Sequence, residues 1–222
     1  MAQIFFDAET TGLFPEGRIT CIVTEHNNRT KVWATPGNSE NSYAIMDDAC
    51  IAELVSFMEE DGDNGRSVVS YNGSSFDFKM LAHQATDPAL KQRIKTLALN
   101  HFDLHLACMI ERGHRLKLDG LAKATLGAAK SGSGLDAIKY WRAKEYQKLF
   151  EYCQQDVELL RDLYNLAKNG DSLRFESSKG NVFDVDLRAT IDVTAEELSK
   201  QMPKQQDWMR TAPSLTKVFD WI

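Results

Sequence analysis

The chain has 222 residues, of which 43% are hydrophobic and 26% are charged, and its formal net charge is −6. This composition is typical of one soluble globular domain with at most a small appendage. No apolar run reaches about 18 residues, which excludes a membrane span, and no signal peptide is expected. The acidic balance argues against a protein that holds nucleic acid by charge alone, because such proteins are usually basic. Four scattered cysteines without a C-x-x-C pair favour a reduced cytoplasmic protein over a zinc site or a disulfide framework.

The first quarter of the chain predicts three strands followed by a helix. Short β-rich apolar runs predict strands at Ile4–Phe6, Ile19–Thr24 and Lys31–Ala34. The turn-like pair Asn27–Asn28 between the last two strands favours an antiparallel meander. Apolar residues at helical spacing then predict a helix over Asp47–Glu60.

The middle of the chain alternates strand and helix before it becomes mostly helical. The predicted elements are a strand at Ser67–Tyr71, helices at Ser75–Ala85 and Pro88–Ala98, a short strand at Phe102–Leu104, and helices up to Asn169 that a loop at Ser131–Gly134 interrupts. Strands that come first and then alternate with helices indicate a mixed α/β fold.

The composition changes near residue 170. Residues 173–187 predict a β-hairpin, and Thr194 with Glu197 three residues later predicts the N-terminus of a short helix. The sequence therefore predicts a core domain over residues 1–169 and a C-terminal hairpin-and-helix appendage over residues 170–222.

Asp7 and Glu9 directly follow the first apolar run and lie two residues apart. Side chains alternate across a strand, so both carboxylates would point to the same face. Two carboxylates at the end of a hydrophobic strand repel each other and lose solvation, which is tolerable mainly if a cation lies between them. The pair therefore predicts a cation site, provided that other acids join it.

Two further acids occupy unusual places in predicted helices. Asp77 follows a strand, and its simplest interpretation is the third residue of a capping box that begins at Ser74. At about 100° per residue, Asp156 falls within the apolar stripe of a helix over residues 149–167. The other members of that stripe are Leu149, Cys153, Leu160, Leu163, Tyr164 and Ala167. A carboxylate there needs a cation, a buried Arg or Lys, or protonation. Tyr152 flanks Asp156 one turn earlier, and its simplest interpretation is a core aromatic.

Together these residues resemble the motifs of a known family. The chain resembles the tyrosine-containing type of the DEDD superfamily of exonucleases. The motifs that carry this resemblance are Asp7-x-Glu9, Asn72-x-x-x-Phe76-Asp77 and Tyr152-x-x-x-Asp156. The similarity spans about residues 3–168 and is greatest to family-B DNA polymerase exonuclease domains and to stand-alone YprB-like exonucleases. The histidine-containing type would need His where this chain has Glu151, so the tyrosine type fits better.

The resemblance implies a ribonuclease H-like mixed sheet flanked by helices and a metal-dependent 3′–5′ exonuclease acting on single-stranded DNA or RNA. It implies two Mg²⁺ or Mn²⁺ ions, one held by Asp7, Glu9 and Asp156, and the second by Asp7 with Asp77 nearby. Tyr152 would orient the attacking water.

The resemblance also implies contacts to the terminal nucleotides, from four residues: Thr10, Leu13, Asn72 and Phe76. For Leu13 and Phe76, packing in the core is the favoured alternative. Residues 112–148 carry nine Lys or Arg against three acids. These basic residues could bind a single strand through its phosphates, or they could lie on solvated helix faces.

Two functions compete with a free-standing exonuclease. One is a non-catalytic nucleic-acid-binding module that keeps the fold. The other is a proofreading subunit that docks on a polymerase through apolar residues near the end of the chain: Trp208, Val218, Phe219 and Trp221. The motifs do not distinguish DNA from RNA, because that distinction depends on contacts to the 2′-hydroxyl.

Overall fold

A computed structural model of the chain has a five-stranded mixed sheet at its centre, with helices on both faces. The structure describes residues 2–60, 67–128, 134–177, 179–211, 213–215 and 217–222. Numbered in chain order, its strands are β1 Ile4–Thr10, β2 Ile19–His26, β3 Arg29–Trp33, β4 Thr35–Pro36, β5 Tyr43–Ala44, β6 Val68–Ser70, β7 Phe102–Asp103, β8 Leu173–Glu176 and β9 Val182–Val185.

The sheet combines an antiparallel meander with a parallel half. Its strand order is β3-β2-β1-β6-β7, in which β1, β2 and β3 are antiparallel neighbours and β1, β6 and β7 are parallel. Asn27 and Asn28 both have positive φ angles, 51° and 58°, as a two-residue hairpin turn between β2 and β3 requires. The predicted meander and the predicted mixed sheet are both confirmed.

Eight helices are described: α1 Asp48–Met58, α2 Asp77–Gln84, α3 Pro88–Asn100, α4 Leu104–Arg112, α5 Leu118–Leu126, α6 Gly134–Arg142, α7 Tyr146–Lys168 and α8 Ala195–Ser199. Three of them begin at an aspartate whose carboxylate accepts backbone N–H groups of the first turn: Asp47, Asp87 and Asp103. The short strand predicted at Phe102–Leu104 ends one residue early, because Asp103 caps α4. Residues 131–133 of the predicted loop lie outside the described residues.

β1 is largely buried on both faces, and its side chains enter two different cores. Phe5 packs with residues of α4, α5 and α7, whereas Phe6 and Ala8 pack with residues of α1, α2 and α3. Because the alternation continues along the strand, Asp7 and Glu9 lie on the face that meets α7. The fold thus directs both acids toward the longest helix.

Two further observations concern the cysteines and the apolar character of the helices. All four cysteines are free, and three of them are buried. Within the described ranges, no helix has both the length and the apolar character needed to cross a bilayer.

The C-terminal segment packs on the first of these cores. The predicted hairpin forms as β8 and β9, and the predicted capping box of Thr194 and Glu197 is present at the start of α8. Leu173, Val185 and Leu198 are buried with side chains of α4, α5 and α7. The domain boundary after residue 169 stays a prediction.

The four apolar residues predicted as a docking surface separate into two groups. Trp208 is 71% exposed, whereas Val218, Phe219 and Trp221 are partly buried against the cores. Trp221 Nε1 also donates to the Ser74 carbonyl oxygen at 3.0 Å. The four side chains do not form one exposed surface, and a protein partner at this segment stays a prediction.

Candidate active site

The acidic pair lies where β1 extends beyond its parallel neighbour. β1 pairs with β6 only at Ile4 and Phe5, so Asp7 and Glu9 stand past the end of that ladder. Glu9 is 8% exposed and Asp7 is half-buried. The pair therefore occupies the carboxyl end of a central strand, as predicted, although β1 continues to Thr10 instead of ending at Phe6.

Cys153 of α7 contacts this pair directly. Its thiol donates to the Asp7 carbonyl oxygen at 3.3 Å and lies 3.8 Å from Asp7 Oδ2. One ligand atom from each of Asp7, Glu9 and Cys153 lies within 4.8 Å of the other two. Cys153 was predicted in the apolar stripe of α7, and its contact with Asp7 was not predicted. The signal was its i, i+3 spacing to Asp156, which puts both residues on one face of the helix.

The chemistry of these donors fits a hard divalent cation. Burial above all, and then the neighbouring Cys21, raises the pKa of the Cys153 thiol well above its usual value. The thiol therefore stays protonated and donates a hydrogen bond instead of serving as a thiolate ligand. The carboxylate oxygens of Asp7 and Glu9 remain, and Mg²⁺ and Mn²⁺ prefer such ligands.

Asp77, at the start of α2, reaches β1 from its other side. Its side chain is 4% exposed, and the Ala8 backbone N–H hydrogen-bonds to its carboxylate. Burial raises the pKa of Asp77 to about 7, and the charge of Asp103 adds to that rise. Hydrogen bonds from the Asp77 and Ala8 backbone N–H groups oppose it. A cation beside Asp77 would favour its charged form.

The capping-box interpretation of Asp77 is wrong. α2 begins at Asp77 itself, and its N-cap is Phe76, which makes no side-chain capping bond. Ser74 Oγ is buried and, among the described residues, has no hydrogen-bond partner. Asp77 is thus the first residue of the helix instead of the third, and its carboxylate is directed to β1.

Asp156 faces the core, as its place in the apolar stripe predicted. It is 5% exposed, and the other residues of the predicted stripe are buried with it: Leu149, Cys153, Leu160, Leu163, Tyr164 and Ala167. Since Asp156 lies one turn beyond Cys153, it is on the face of α7 that packs on β1. Neither Asp156 nor Asp77 belongs to the 4.8 Å group that Asp7, Glu9 and Cys153 form.

Tyr152 of α7 packs against α6. Its side chain is 4% exposed and belongs to an apolar cluster with Ala137, Leu149 and Phe150. It also lines an open cavity of about 410 Å³ whose other walls are Tyr140, Lys148, Glu151, Gln154, Gln155 and Glu158. The core-aromatic interpretation describes this packing, and the orientation of water by Tyr152 stays a prediction.

The predicted substrate contacts have different surroundings. Leu13 is 76% exposed, so the interpretation that it packs in the core is wrong. Phe76 is partly buried against the core of α1, α2 and α3, which favours packing. Thr10 is 8% exposed, and its hydroxyl donates to the Gly12 carbonyl oxygen at 2.7 Å. Leu13 therefore keeps a surface available to substrate, while Phe76 and Thr10 have structural partners.

Asn72 lies in the turn between β6 and α2 with a left-handed φ of 71°, a conformation that Asn tolerates better than most residues. Its side-chain Oδ1 is buried and has no hydrogen-bond partner within the described ranges. An unsatisfied buried acceptor costs about 1–3 kcal/mol. A donor that reached this atom would remove that cost, and the substrate contact of Asn72 stays a prediction.

Asp103 is a site-organising residue that sequence analysis missed. It is 1% exposed, and its Oδ1 accepts the backbone N–H groups of Asn72, His105 and Leu106, while its Oδ2 accepts that of Ser74 at 3.1 Å. It thus caps α4 and holds the turn that leads to Asp77. The signal in the sequence was an aspartate between a short strand and a helix, which is typical of an N-cap.

The basic segment 112–148 is partly neutralised. Four of its cations have partners in the described structure: Lys123–Glu176 at 3.6 Å, Lys139–Asp136 at 2.7 Å, Lys148–Glu145 at 3.0 Å, and Arg112 over the Phe183 ring at 5.0 Å. Lys130 lies outside the described residues. Exposed cations remain at Arg115, Lys117, Arg142 and Lys144. A grip on nucleic acid by this segment stays a prediction.

The model of one protein family, described as the RNase_H superfamily, matches residues 4–168. The chain belongs to the ribonuclease H superfamily. The five-stranded mixed sheet with flanking helices agrees with this membership, so the predicted ribonuclease H-like fold is confirmed. Among curated proteins, none matches the chain.

Membership of the ribonuclease H superfamily suggests a nuclease-type, hydrolytic function, and the fold implies binding of nucleic acid. Nucleases with this fold usually use divalent cations. Within the group of Asp7, Glu9 and Cys153, the two carboxylates are suitable donors for such a cation. Residues 169–222 lie outside the match.

Proposed function

We propose that the protein is a 3′–5′ exonuclease that hydrolyses phosphodiester bonds at the 3′ end of single-stranded nucleic acid. The observation that carries the proposal is the meeting of three distant segments at one end of β1. The Asp77 carboxylate accepts the Ala8 backbone N–H, and the Cys153 thiol contacts Asp7. The segments that contain Asp77 and Asp156 therefore both contact the strand that contains Asp7 and Glu9. The 3′ direction and the single-strand preference rest on the resemblance to tyrosine-type DEDD exonucleases.

Asp7, Glu9, Asp77 and Asp156 would hold two divalent cations, Mg²⁺ or Mn²⁺. The donor chemistry supports this proposal, because these side chains offer hard oxygens and the neighbouring thiol stays protonated. When bound, such cations neutralise charge on the phosphodiester and lower the pKa of water. Three of the four acids are less than one-tenth exposed, so cations held by them would be largely shielded from bulk water.

Other side chains would position the reactants. Tyr152 would hydrogen-bond the attacking water and orient it. A general-base role is less suitable, because a phenol with a pKa of about 10 is a poor base at neutral pH. Leu13 would contact the terminal base through its exposed side chain. Asn72 would accept a hydrogen bond from the terminal nucleotide at its buried Oδ1.

The test uses 5′-labelled DNA and RNA oligonucleotides incubated with Mg²⁺, Mn²⁺ or EDTA. We expect a ladder of products shortened from the 3′ end, which EDTA abolishes because the reaction needs bound cations. Comparing DNA with RNA in the same assay gives the sugar preference. Retarded but uncut oligonucleotide under every metal condition would instead support a non-catalytic binding module.

Replacing Tyr152 with Phe keeps the apolar packing against α6 and removes only the hydroxyl. We expect the rate to fall by roughly 10- to 100-fold while measurable activity remains, because orientation of water is weakened but the acids stay in place. The measurement is single-turnover cleavage of a labelled oligonucleotide. Tyr140→Phe, at another residue that lines the same cavity, is the matched control. A Tyr152→Phe rate equal to wild type contradicts the assigned role.

A further inference from the structure

A tightly closed loop of residues 11–18 follows β1 and its acidic pair. The Thr11 backbone N–H donates to the Arg18 carbonyl at 2.9 Å, and that of Gly17 donates to the Leu13 carbonyl at 2.8 Å. The Arg18 guanidinium donates to the Pro15 and Gly17 carbonyl oxygens at 3.0 and 2.8 Å. These bonds hold the loop in one conformation next to the candidate active site.

Close packing within the loop requires glycine at position 17. A Cβ added to Gly17 would lie 2.1 Å from the Gly12 carbonyl oxygen, which is far closer than atoms approach in proteins. The loop is therefore pre-organised by its own backbone. What it presents to the outside is a fixed surface, because few internal degrees of freedom remain.

That surface carries an aromatic ring beside two basic side chains of α2. Phe14 is 40% exposed, and the His83 ring lies edge-on to it with a centroid distance of 5.0 Å. Lys79 Nζ lies 4.6 Å from the centroid of the same ring. Lys79 and His83 are four residues apart and so project from the same face of α2. We call Phe14, Lys79 and His83 the aromatic–basic cluster.

Both parts of the cluster follow residues of the candidate active site closely along the chain. Phe14 is five residues beyond Glu9, and Lys79 is two residues beyond Asp77. The loop exposes Leu13 as well as Phe14, so two large apolar side chains stand next to each other in solvent. Exposing such residues on a rigid loop is unfavourable unless a ligand covers them.

The chemistry of the cluster indicates what that ligand is. Proteins that bind single-stranded nucleic acid combine aromatic rings, on which bases stack, with cations that track the phosphates. Phe14 offers such a ring, with the Lys79 ammonium 4.6 Å from its centroid and the His83 imidazole at its edge. An apolar peptide contact has no equivalent need for a cation over the ring.

We propose that the aromatic–basic cluster is a subsite for one nucleotide of the single strand whose 3′ end enters the candidate active site. The base stacks on Phe14, and Lys79 contacts the adjoining phosphate. Lys79 also pairs with Asp220 at 3.3 Å, so binding exchanges that exposed ion pair for a phosphate contact. The inference rests on the proposed function for the identity of the strand.

The test measures binding of a fluorescein-labelled single-stranded 12-mer by anisotropy in EDTA, which prevents cleavage. Phe14→Leu removes the ring but keeps an apolar side chain, and we expect binding to weaken about tenfold because a stacked base is lost. Phe14→Tyr keeps the ring, and binding is expected within about twofold of wild type. Thermal melts of both variants show that the fold is intact.

A matched control lies on β9. Phe183 is 39% exposed, and the Arg112 guanidinium lies 5.0 Å from its ring centroid. Phe183→Leu should leave binding unchanged, because the subsite is specific to the loop of residues 11–18. Equal losses in Phe14→Leu and Phe183→Leu overturn the proposal, as does wild-type binding by Phe14→Leu or failure of the wild-type protein to bind the 12-mer.

Salt dependence separates stacking from phosphate contact. Lys79→Met should lower the slope of log affinity against log salt by about 0.7, the value for one phosphate contact on a single strand, whereas Phe14→Leu should leave the slope unchanged. An unchanged slope in Lys79→Met overturns the phosphate contact. These binding assays need no turnover, so they test the subsite separately from the proposed exonuclease activity. Either proposal can therefore fail while the other holds.

Discussion

Replacing Asp7 with Asn is expected to lower the proposed exonuclease activity by about 10³-fold or more, equivalent to about 4 kcal/mol in the barrier. Asp7 stands past the β1–β6 ladder, with Glu9 on the same face and the Cys153 thiol on its carbonyl oxygen. The amide keeps the size of the side chain but removes the charge that attracts a cation. Asp156→Asn should have an effect of the same order, because its carboxylate is buried on the facing side of α7.

The stability of Asp7→Asn distinguishes a lost ligand from a damaged fold. In EDTA its melting temperature should equal or exceed that of wild type, because one of two neighbouring carboxylates is neutralised. Added Mg²⁺ should raise the melting temperature of wild type and not that of the variant, since only a bound cation stabilises the native state. The measurement is a thermal melt across a Mg²⁺ series.

A neutral control for charge removal is Asp87→Asn. Asp87 caps α3 by accepting the Ala89 backbone N–H at 2.9 Å, and Asn caps helices as well as Asp does. Activity should therefore stay at the wild-type level. If Asp7→Asn and Asp156→Asn also cleave at the wild-type rate, the assignment of these acids to catalysis is wrong.

Replacing Asp103 with Ala is expected to destabilise the protein by about 3–5 kcal/mol, because four backbone N–H groups, three of them in buried hydrogen bonds, lose their acceptor. For a chain of this length that is a fall in melting temperature on the order of 10 °C. Two of the four groups, those of Asn72 and Ser74, belong to the turn before Asp77. The loss of activity should therefore exceed what the unfolded fraction explains.

Asp103→Asn gives a graded comparison. Its amide oxygen can keep the three bonds that Oδ1 accepts, whereas its NH₂ group would face the Ser74 N–H, a donor against a donor. The loss of stability should lie between wild type and Asp103→Ala. Asp47→Ala, which removes one capping bond at Cys50, should cost about 1 kcal/mol. Equal melting temperatures for Asp47→Ala and Asp103→Ala would show that the turn does not depend on Asp103.

Local pattern was sufficient for most elements of the fold. Strand alternation placed Asp7 and Glu9 on one face, and helical spacing placed Asp156 among the buried residues of α7. Paired asparagines marked the β2–β3 turn, and Thr194 with Glu197 marked the start of α8. These predictions hold because periodicity and capping depend on residues within one or two turns of each other. Boundaries moved by a few residues where a neighbouring cap or strand decided them.

What local pattern could not decide was which partner each side chain meets. Ser74 and Asp77 have the spacing of a capping box, yet α2 begins at Asp77 and the carboxylate is directed to Ala8 of β1. Leu13 is of a residue type that is usually buried, yet the closed loop after β1 holds its side chain in solvent. In both cases contacts with another segment, or the path of the backbone, outweigh the preference of the residue itself.

The sequence alone established the acids and the order of their motifs, and with them the family to which the resemblance points. The tertiary structure added the contact of Cys153 with Asp7, the hydrogen bond of Asp103 to the turn at Asn72, and the exposed Phe14 ring beside Lys79 of α2. Each of these is a contact between segments that parallel strand pairing and helix packing bring together across the chain. A periodic pattern tells which face a side chain lies on, but only the packed fold determines what lies opposite it.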